Sequence, residues 1–264
     1  MRSERFDFPC SGDRLLAGRL DLPDGDPRAY ALFAHCFACG KGSPAAVRIA
    51  MALAEKGIGT LRFDFTGLGD SEGEFANSGF SSNVDDLVAA AAHLRSTRFA
   101  PAILIGHSLG GSAVLAAARF IPEARAVATI GAPFEINRVE RTFGLKLGEI
   151  EREGEATVEI AGHAFTIRKG FVDDLKSQDQ ELRLRELNRA LLIFHSPADD
   201  VVPIEDGARI FDHAKQPKSF ISLAQANHLL THRVDAQYVA DVLAAWTVRY
   251  LCAYNESPPD REHS

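Results

Sequence analysis

The chain has 264 residues, 46% of them hydrophobic, with a net charge of -7 and an isoelectric point near 5.7. That is ample apolar material for a sizeable globular core, while the acidic balance leaves no surplus of Lys and Arg to neutralise phosphates, which argues against nucleic acid or an anionic membrane as partner. No run of about 18 apolar residues is present, and Met1-Arg2-Ser3-Glu4-Arg5 carries charges where a signal peptide needs its apolar stretch, so a cytoplasmic location is expected.

In chain order, Phe6 to Pro9 and Leu15 to Leu22 alternate as an antiparallel hairpin, closed by Pro23-Asp24-Gly25-Asp26-Pro27. Residues 29–34 form a continuous apolar run, the pattern of a strand buried on both faces. Pro44 opens a helix that runs to about Glu55 and stops before Gly57, and Thr60 to Phe65 is the next strand. A helix from Val84 to about Leu94 follows, capped by Ser81 or Ser82, with Asp85 and Asp86 in its first turn. Pro101 to Ile105 and Ala126 to Ile130 are strands on either side of an alanine-rich helix from Ser112 to Phe120. Strand alternating with helix predicts an α/β fold, a mostly parallel sheet covered on both faces.

The alternation stops at residues 134–188, where 21 of 55 residues are charged. This segment is predicted as a cap insertion, with a hairpin of 157–160 and 164–167 and a helix over 173–187, in a core made of residues 1–133 and 189–264. The alternation resumes with strands at 190–194 and 219–223 and helices at 204–213 and 234–250; Ser257 to Ser264 reads as a polar tail.

One turn carries chemistry. Gly106-His107-Ser108-Leu109-Gly110 joins an apolar strand to the alanine-rich helix, a strand-turn-helix that lifts a serine hydroxyl to the carboxyl edge of a parallel sheet. The helix aims its unpaired N–H groups and positive dipole end at any oxygen that becomes negative beside the serine. Serine is a weak nucleophile at neutral pH and needs a histidine to take its proton and a carboxylate to orient that histidine. Both are expected in loops after later strands. His195-Ser196-Pro197-Ala198-Asp199-Asp200-Val201-Val202-Pro203 offers two acids, and Ala224-Gln225-Ala226-Asn227-His228 a histidine, with His232 four residues on.

With these motifs the chain resembles the α/β-hydrolase family over residues from about 5 to 255. The resemblance implies an α/β-hydrolase fold and carries the catalytic roles onto Ser108, Asp199 and His228, through an H-G-x-x-D-x-x-V-P shape in which Ser196 replaces the glycine. It also implies an oxyanion hole made by the N–H groups of Leu109 and Phe37, the usual His-Gly being His35-Cys36 here. Asp64, in a loop similar to the family's D-x-x-G-x-G-x-S, is implied to be structural. Residues 33–37, 61–69 and 106–118 look like the hydrolase half of bacterial fusions to an OsmC-type module.

Four cysteines, at 10, 36, 39 and 252, are too few and too unevenly spaced for a disulfide scaffold, and a lone C-x-x-C has no second pair for zinc. Cys36 and Cys39 therefore read as reduced thiols in a buried loop. The OsmC-type kinship leaves them a redox role, in which oxidation would distort the oxyanion loop and lower activity. The expected function is a cytoplasmic serine hydrolase, a carboxylesterase for small-molecule acyl esters. It needs no metal or organic cofactor, has no nucleic-acid or membrane partner, and its homo-oligomeric state is open. Thioesterase, peptidase and perhydrolase share the triad, and a catalytically silent binding module for a partner domain is the contrasting class.

Overall fold

Ala29–Ala34, the apolar run, lies in the middle of the sheet, and its neighbours on both sides are later strands. The computed structural model describes residues 1–160 and 162–251; the predicted tail at 257–264 lies outside them. The elements begin with Arg2–Arg5 (β1), Phe8–Pro9 (β2), Leu15–Leu16 (β3), Gly18–Leu22 (β4) and Ala29–Ala34 (β5). Pro44–Glu55 (α1), Ile58–Phe63 (β6), Phe80–Thr97 (α2), Ile103–His107 (β7), Leu109–Ala117 (α3) and Ala126–Ile130 (β8) follow. Between residues 134 and 188 come Lys146–Glu153 (α4), Glu155–Ile160 (β9), His163–Arg168 (β10), Lys169–Lys176 (α5) and Gln180–Glu186 (α6). Ala190–His195 (β11), Ile204–His213 (α7), Lys218–Ser222 (β12) and Arg233–Leu251 (α8) return to the main sheet and its helices.

Eight strands form that sheet in the order β1-β4-β6-β5-β7-β8-β11-β12. The β1–β4 and β4–β6 pairs are antiparallel and the other five are parallel. Side chains on β5 alternate between two cores with the period of two that a pleated strand imposes. Ala31 and Phe33 pack with Ile49 and Leu53 of α1 and Val239 and Leu243 of α8. Leu32 and Ala34 face the opposite way, toward Leu87 of α2 and Val114 of α3. Burying each large apolar side chain of this kind stabilises the fold by about 1.5–3 kcal/mol, so a one-residue slip of β5 would be strongly opposed.

Several elements depart from the sequence prediction: the strand expected at Thr60 to Phe65 is Ile58–Phe63, and the helix expected at Ser112 to Phe120 begins at Leu109. Arg2–Arg5 is an exposed edge strand, paired from Arg2 opposite Leu22 to Arg5 opposite Arg19, although its composition is that of a solvated segment. Helix α2 starts four residues early, at Phe80, with Gly79 at its N-cap; Ser82 acts from inside the helix, its Oγ accepting the Gly79 N–H at 2.8 Å. That start moves Asp86 out of the first turn into a buried position, where it accepts the Thr66 N–H at 2.8 Å and the Thr66 hydroxyl at 3.0 Å. Burial pushes its carboxyl above the usual range. The helix predicted over 173–187 is broken into α5 and α6, because Asp179 turns aside to cap α6 by accepting the Leu182 N–H at 2.9 Å.

A buried ion pair ties the antiparallel side of the sheet to the loop after β5. The Arg62 Nε donates to Asp21 at 2.7 Å and the same guanidinium donates to the Lys41 carbonyl; the Arg62 and Asp21 side chains are 9% and 3% exposed. Asp21→Ala leaves this guanidinium without its carboxylate and is expected to lower the unfolding free energy by about 3–5 kcal/mol, measured by urea denaturation. A loss under about 1 kcal/mol would put the pair in the range of an exposed one.

Candidate active site

Ser108 sits between β7 and α3 at φ +56°, ψ -126°, a conformation rarely adopted by a residue with a Cβ. Two close approaches allow it. A Cβ on Gly106 would lie 2.2 Å from the Gly110 carbonyl oxygen, and one on Gly110 would lie 2.4 Å from the His35 carbonyl oxygen. No side chain fits at either position, so the strand passes against the helix and the preceding loop only because both residues are glycine. The Ser108 N–H donates to the Ile130 carbonyl at 2.8 Å, which fixes the turn to the neighbouring strand β8.

The loops after β11 and β12 bring two more side chains to this point. Asp199 Oδ2 accepts from His228 Nδ1 at 2.8 Å, and His228 Nε2 lies 3.0 Å from Ser108 Oγ. A carboxylate can only accept, so Nδ1 carries the proton and Nε2 presents a lone pair to the serine hydroxyl. The structure thus brings Ser108, Asp199 and His228 into one hydrogen-bonded line. Asp200 and His232, the other candidates in those loops, are exposed and take no part in it.

Asp199 Oδ1 also accepts the Val201 and Val202 N–H groups at 2.9 and 2.8 Å. Burial pushes its carboxyl up, but the hydrogen bond and charge of His228, with the two N–H groups, outweigh burial and hold it below the usual carboxylate range. It is therefore ionised at neutral pH. The backbone of His228 is held separately: the His107 Nε2–H donates to the His228 carbonyl at 2.7 Å. His107 is neutral because burial, and then the nearby His228, push its pKa down to about 4.

On the other side of Ser108 runs the loop after β5. Its Cys36 carbonyl accepts from His35 Nδ1 at 2.8 Å and from the Cys39 N–H at 3.1 Å. Burial pushes the pKa of His35 down, so its ring is neutral there. With the carbonyl anchored by two donors, the planar trans peptide sends the Phe37 N–H in the opposite direction. The Phe37 ring packs among Phe171, Phe75 and Phe143, with centroids 5.5, 5.8 and 6.3 Å away, so the loop is tied to residues of the 134–188 segment. The Leu109 N–H, first in α3, lies at the positive end of that helix.

The predicted reduced thiols need correction, because Cys36 and Cys39 are joined by a disulfide. The C-x-x-C spacing permits such a bond; composition and cysteine count argued against a scaffold of disulfides and said nothing of a single local one. Lys41 was also missed. Asp64 accepts the N–H groups of Lys41 and Asp70 at 2.6 and 3.0 Å, the structural role expected of it, and it also pairs with the Lys41 ammonium. Burial disfavours that charge, but Asp64 and Asp70 outweigh it and hold the ammonium above its usual pKa.

A cavity of about 420 Å³ opens over Ser108 and His228, its mostly apolar walls including Phe37, Val139, Ile160 and Leu229. Val139 and Ile160 belong to the 134–188 segment, which therefore supplies one wall. Among the described residues no group of three or more His, Cys, Asp or Glu side chains is placed to hold a metal, and no helix is long and apolar enough to cross a membrane.

A mostly parallel eight-stranded sheet flanked by helices, with a serine on a Gly-x-Ser-x-Gly turn at its carboxyl edge, defines an α/β-hydrolase. The chain belongs to the family described as serine aminopeptidase, S33, whose model matches residues 25–165. Ser108 lies inside the match and Asp199 and His228 beyond it. The esterase domain of a Rhodothermus marinus protein is 44% identical, with 95% of this chain and all of that one covered at a TM-score of 0.78. Est1E from Butyrivibrio proteoclasticus, solved with ferulic acid bound, is 22% identical, covers 93% of this chain and 99% of its own, and shares the fold at a TM-score of 0.81. YfhR of Salmonella typhi is 24% identical over 177 residues, 67% of this chain and 57% of that protein. The chain thus spans little more than half the length of that relative.

Proposed function

We propose that this α/β-hydrolase is a serine carboxylesterase acting on small to medium acyl esters. The observation that carries the reading is the line from Asp199 through His228 to Ser108 at the floor of an apolar cavity. Ser108 Oγ attacks the ester carbonyl while His228 Nε2 takes its proton, and Asp199 stabilises the resulting imidazolium. The carbonyl oxygen, now negative, accepts from the Leu109 and Phe37 N–H groups, each preorganised donor contributing roughly 3 kcal/mol to the transition state. His228 returns the proton to the departing alcohol, leaving an acyl-Ser108 ester. Water, deprotonated by His228, then releases the acid. In this reading residues 134–188 are a cap whose wall, with Phe37, bounds the acyl chain.

The 44% identical esterase domain supports an ester substrate over the alternatives, and the apolar walls suit a hydrocarbon acyl group. The test is a series of nitrophenyl esters from acetate to laurate. We expect kcat/KM to peak at intermediate length and to fall at laurate. A wild-type enzyme inactive on the whole series would overturn the ester reading. The family's description makes the amide the second reading, so faster cleavage of amino-acyl nitroanilides than of the esters would decide for a peptidase.

A further inference from the structure

The Cys36–Cys39 bond encloses Phe37, the proposed second oxyanion donor, in a covalent ring, and it lies in the wall of the cavity that holds Ser108 and His228. Inside the ring Ala38 has φ +57°, a left-handed conformation that is disfavoured for any residue with a Cβ. Apart from the disulfide, one backbone hydrogen bond, from the Cys39 N–H to the Cys36 carbonyl, closes the turn. Cys36 is 5% exposed and Cys39 is half-buried, and both sulfurs belong to residues lining a cavity large enough for a small thiol.

We propose that this disulfide is a reversible modification site, reduced by small dithiols that enter the active-site cavity, and that the intact bond holds the second oxyanion donor in place. One thiolate of the dithiol attacks the more accessible Cys39 sulfur, the Sγ–Sγ bond breaks, and Cys36 leaves as a thiolate. The second thiolate of the reductant then displaces Cys39. The reductant departs as a cyclic disulfide after giving two electrons, and each protein sulfur takes a proton. Once open, the loop lets Ala38 relax out of its left-handed conformation, and the Cys36–Phe37 peptide turns with it. The sign is the reverse of the sequence expectation: oxidation organises the site and reduction impairs it.

The kinetic part rests on the esterase reading, so the test pairs it with a readout that needs no substrate. The thiol count of the folded protein should rise by two on treatment with dithiothreitol, in the wild type but not in the Cys36→Ser/Cys39→Ser double variant. Amide exchange followed by mass spectrometry should quicken in the peptide covering residues 33–41. On a nitrophenyl ester the reduced enzyme should lose roughly ten-fold in kcat with KM within about two-fold, less than the 10²–10³ of a donor removed outright. The double variant should match the reduced enzyme and ignore the reductant. Ala38→Gly, which accepts the left-handed turn without strain, should narrow the gap between oxidised and reduced forms to about two-fold.

Exchange that does not change on reduction overturns the clamp whatever the activity. Quickened exchange with unchanged kcat overturns its control of catalysis, and a gap as wide in Ala38→Gly as in the wild type does the same. An oxidised enzyme that hydrolyses no ester defeats the esterase reading instead, and the exchange measurement still decides the clamp.

Discussion

Ser108→Ala is expected to lower kcat on nitrophenyl esters by roughly 10⁴ or more while leaving the fold and KM nearly unchanged. The serine Oγ is the atom that faces His228 Nε2, at 3.0 Å, and no other hydroxyl among the described residues hydrogen-bonds that nitrogen. Alanine keeps the Cβ, so the strained turn with its Gly106 and Gly110 contacts is retained. What is lost is the covalent route. Residual hydrolysis by water, aided by the Leu109 and Phe37 N–H groups, would remain, because an oxyanion hole still favours a tetrahedral intermediate when no nucleophile is present. Stopped assays with intact-mass spectrometry check both halves: the wild type should accumulate an acyl adduct on a slowly deacylating ester and the variant none. A variant retaining a tenth of the wild-type rate would remove Ser108 from the mechanism.

Asp199→Asn is expected to cost on the order of 10³–10⁴ in kcat, with little change in stability. An asparagine is nearly isosteric, and its carbonyl oxygen can go on accepting from Val201 and Val202, as Oδ1 does now. Its amide nitrogen then points an N–H at His228 Nδ1. The imidazole answers by moving its own proton to Nε2, where it faces Ser108 as a donor and can no longer accept. On the proposed mechanism the carboxylate is also the negative charge that stabilises the imidazolium, and its pKa is held below the ordinary value. The variant should therefore lose activity at every pH without a shift of its folded-state packing. A loss under about ten-fold would assign the orienting role to another acid, Asp200 being the neighbour to test next.

The fold was legible wherever a periodicity was long and uninterrupted. Residues 29–34, 44–55, 126–130 and 204–213 are the elements the pattern predicts, because apolar spacing and a Pro or Gly at the ends specify them locally. Ser108 stood out because glycines flank it between a strand and a helix, and the loops of Asp199 and His228 because strands precede them. What could not be read depends either on partners far along the chain or on which of several local caps is used. Arg2–Arg5 is a strand only because Gly18–Leu22 offers an edge. The break in 173–187 comes from Asp179 taking a cap, and the early start of α2 from Gly79 and Ser82. Lys41 could not be read because its partner Asp64 lies 23 residues on, and the disulfide because C-x-x-C spacing permits a bond without requiring one.

Ser108 and His228 are 120 residues apart in sequence, and Phe37 and Phe171 come from opposite sides of the nucleophile. During vectorial synthesis Phe37 can meet Phe75 early but gains Phe143 and Phe171 only after Ser108, and the proposed base emerges last, 120 residues behind the proposed nucleophile. At about 5–20 residues per second that interval lasts roughly 6–24 seconds. Through it the nascent chain carries a serine with no base to activate it. On the proposed mechanism hydrolysis is thus coupled to late, long-range assembly, and a ribosome-bound fragment ending before residue 228 would leave esters intact.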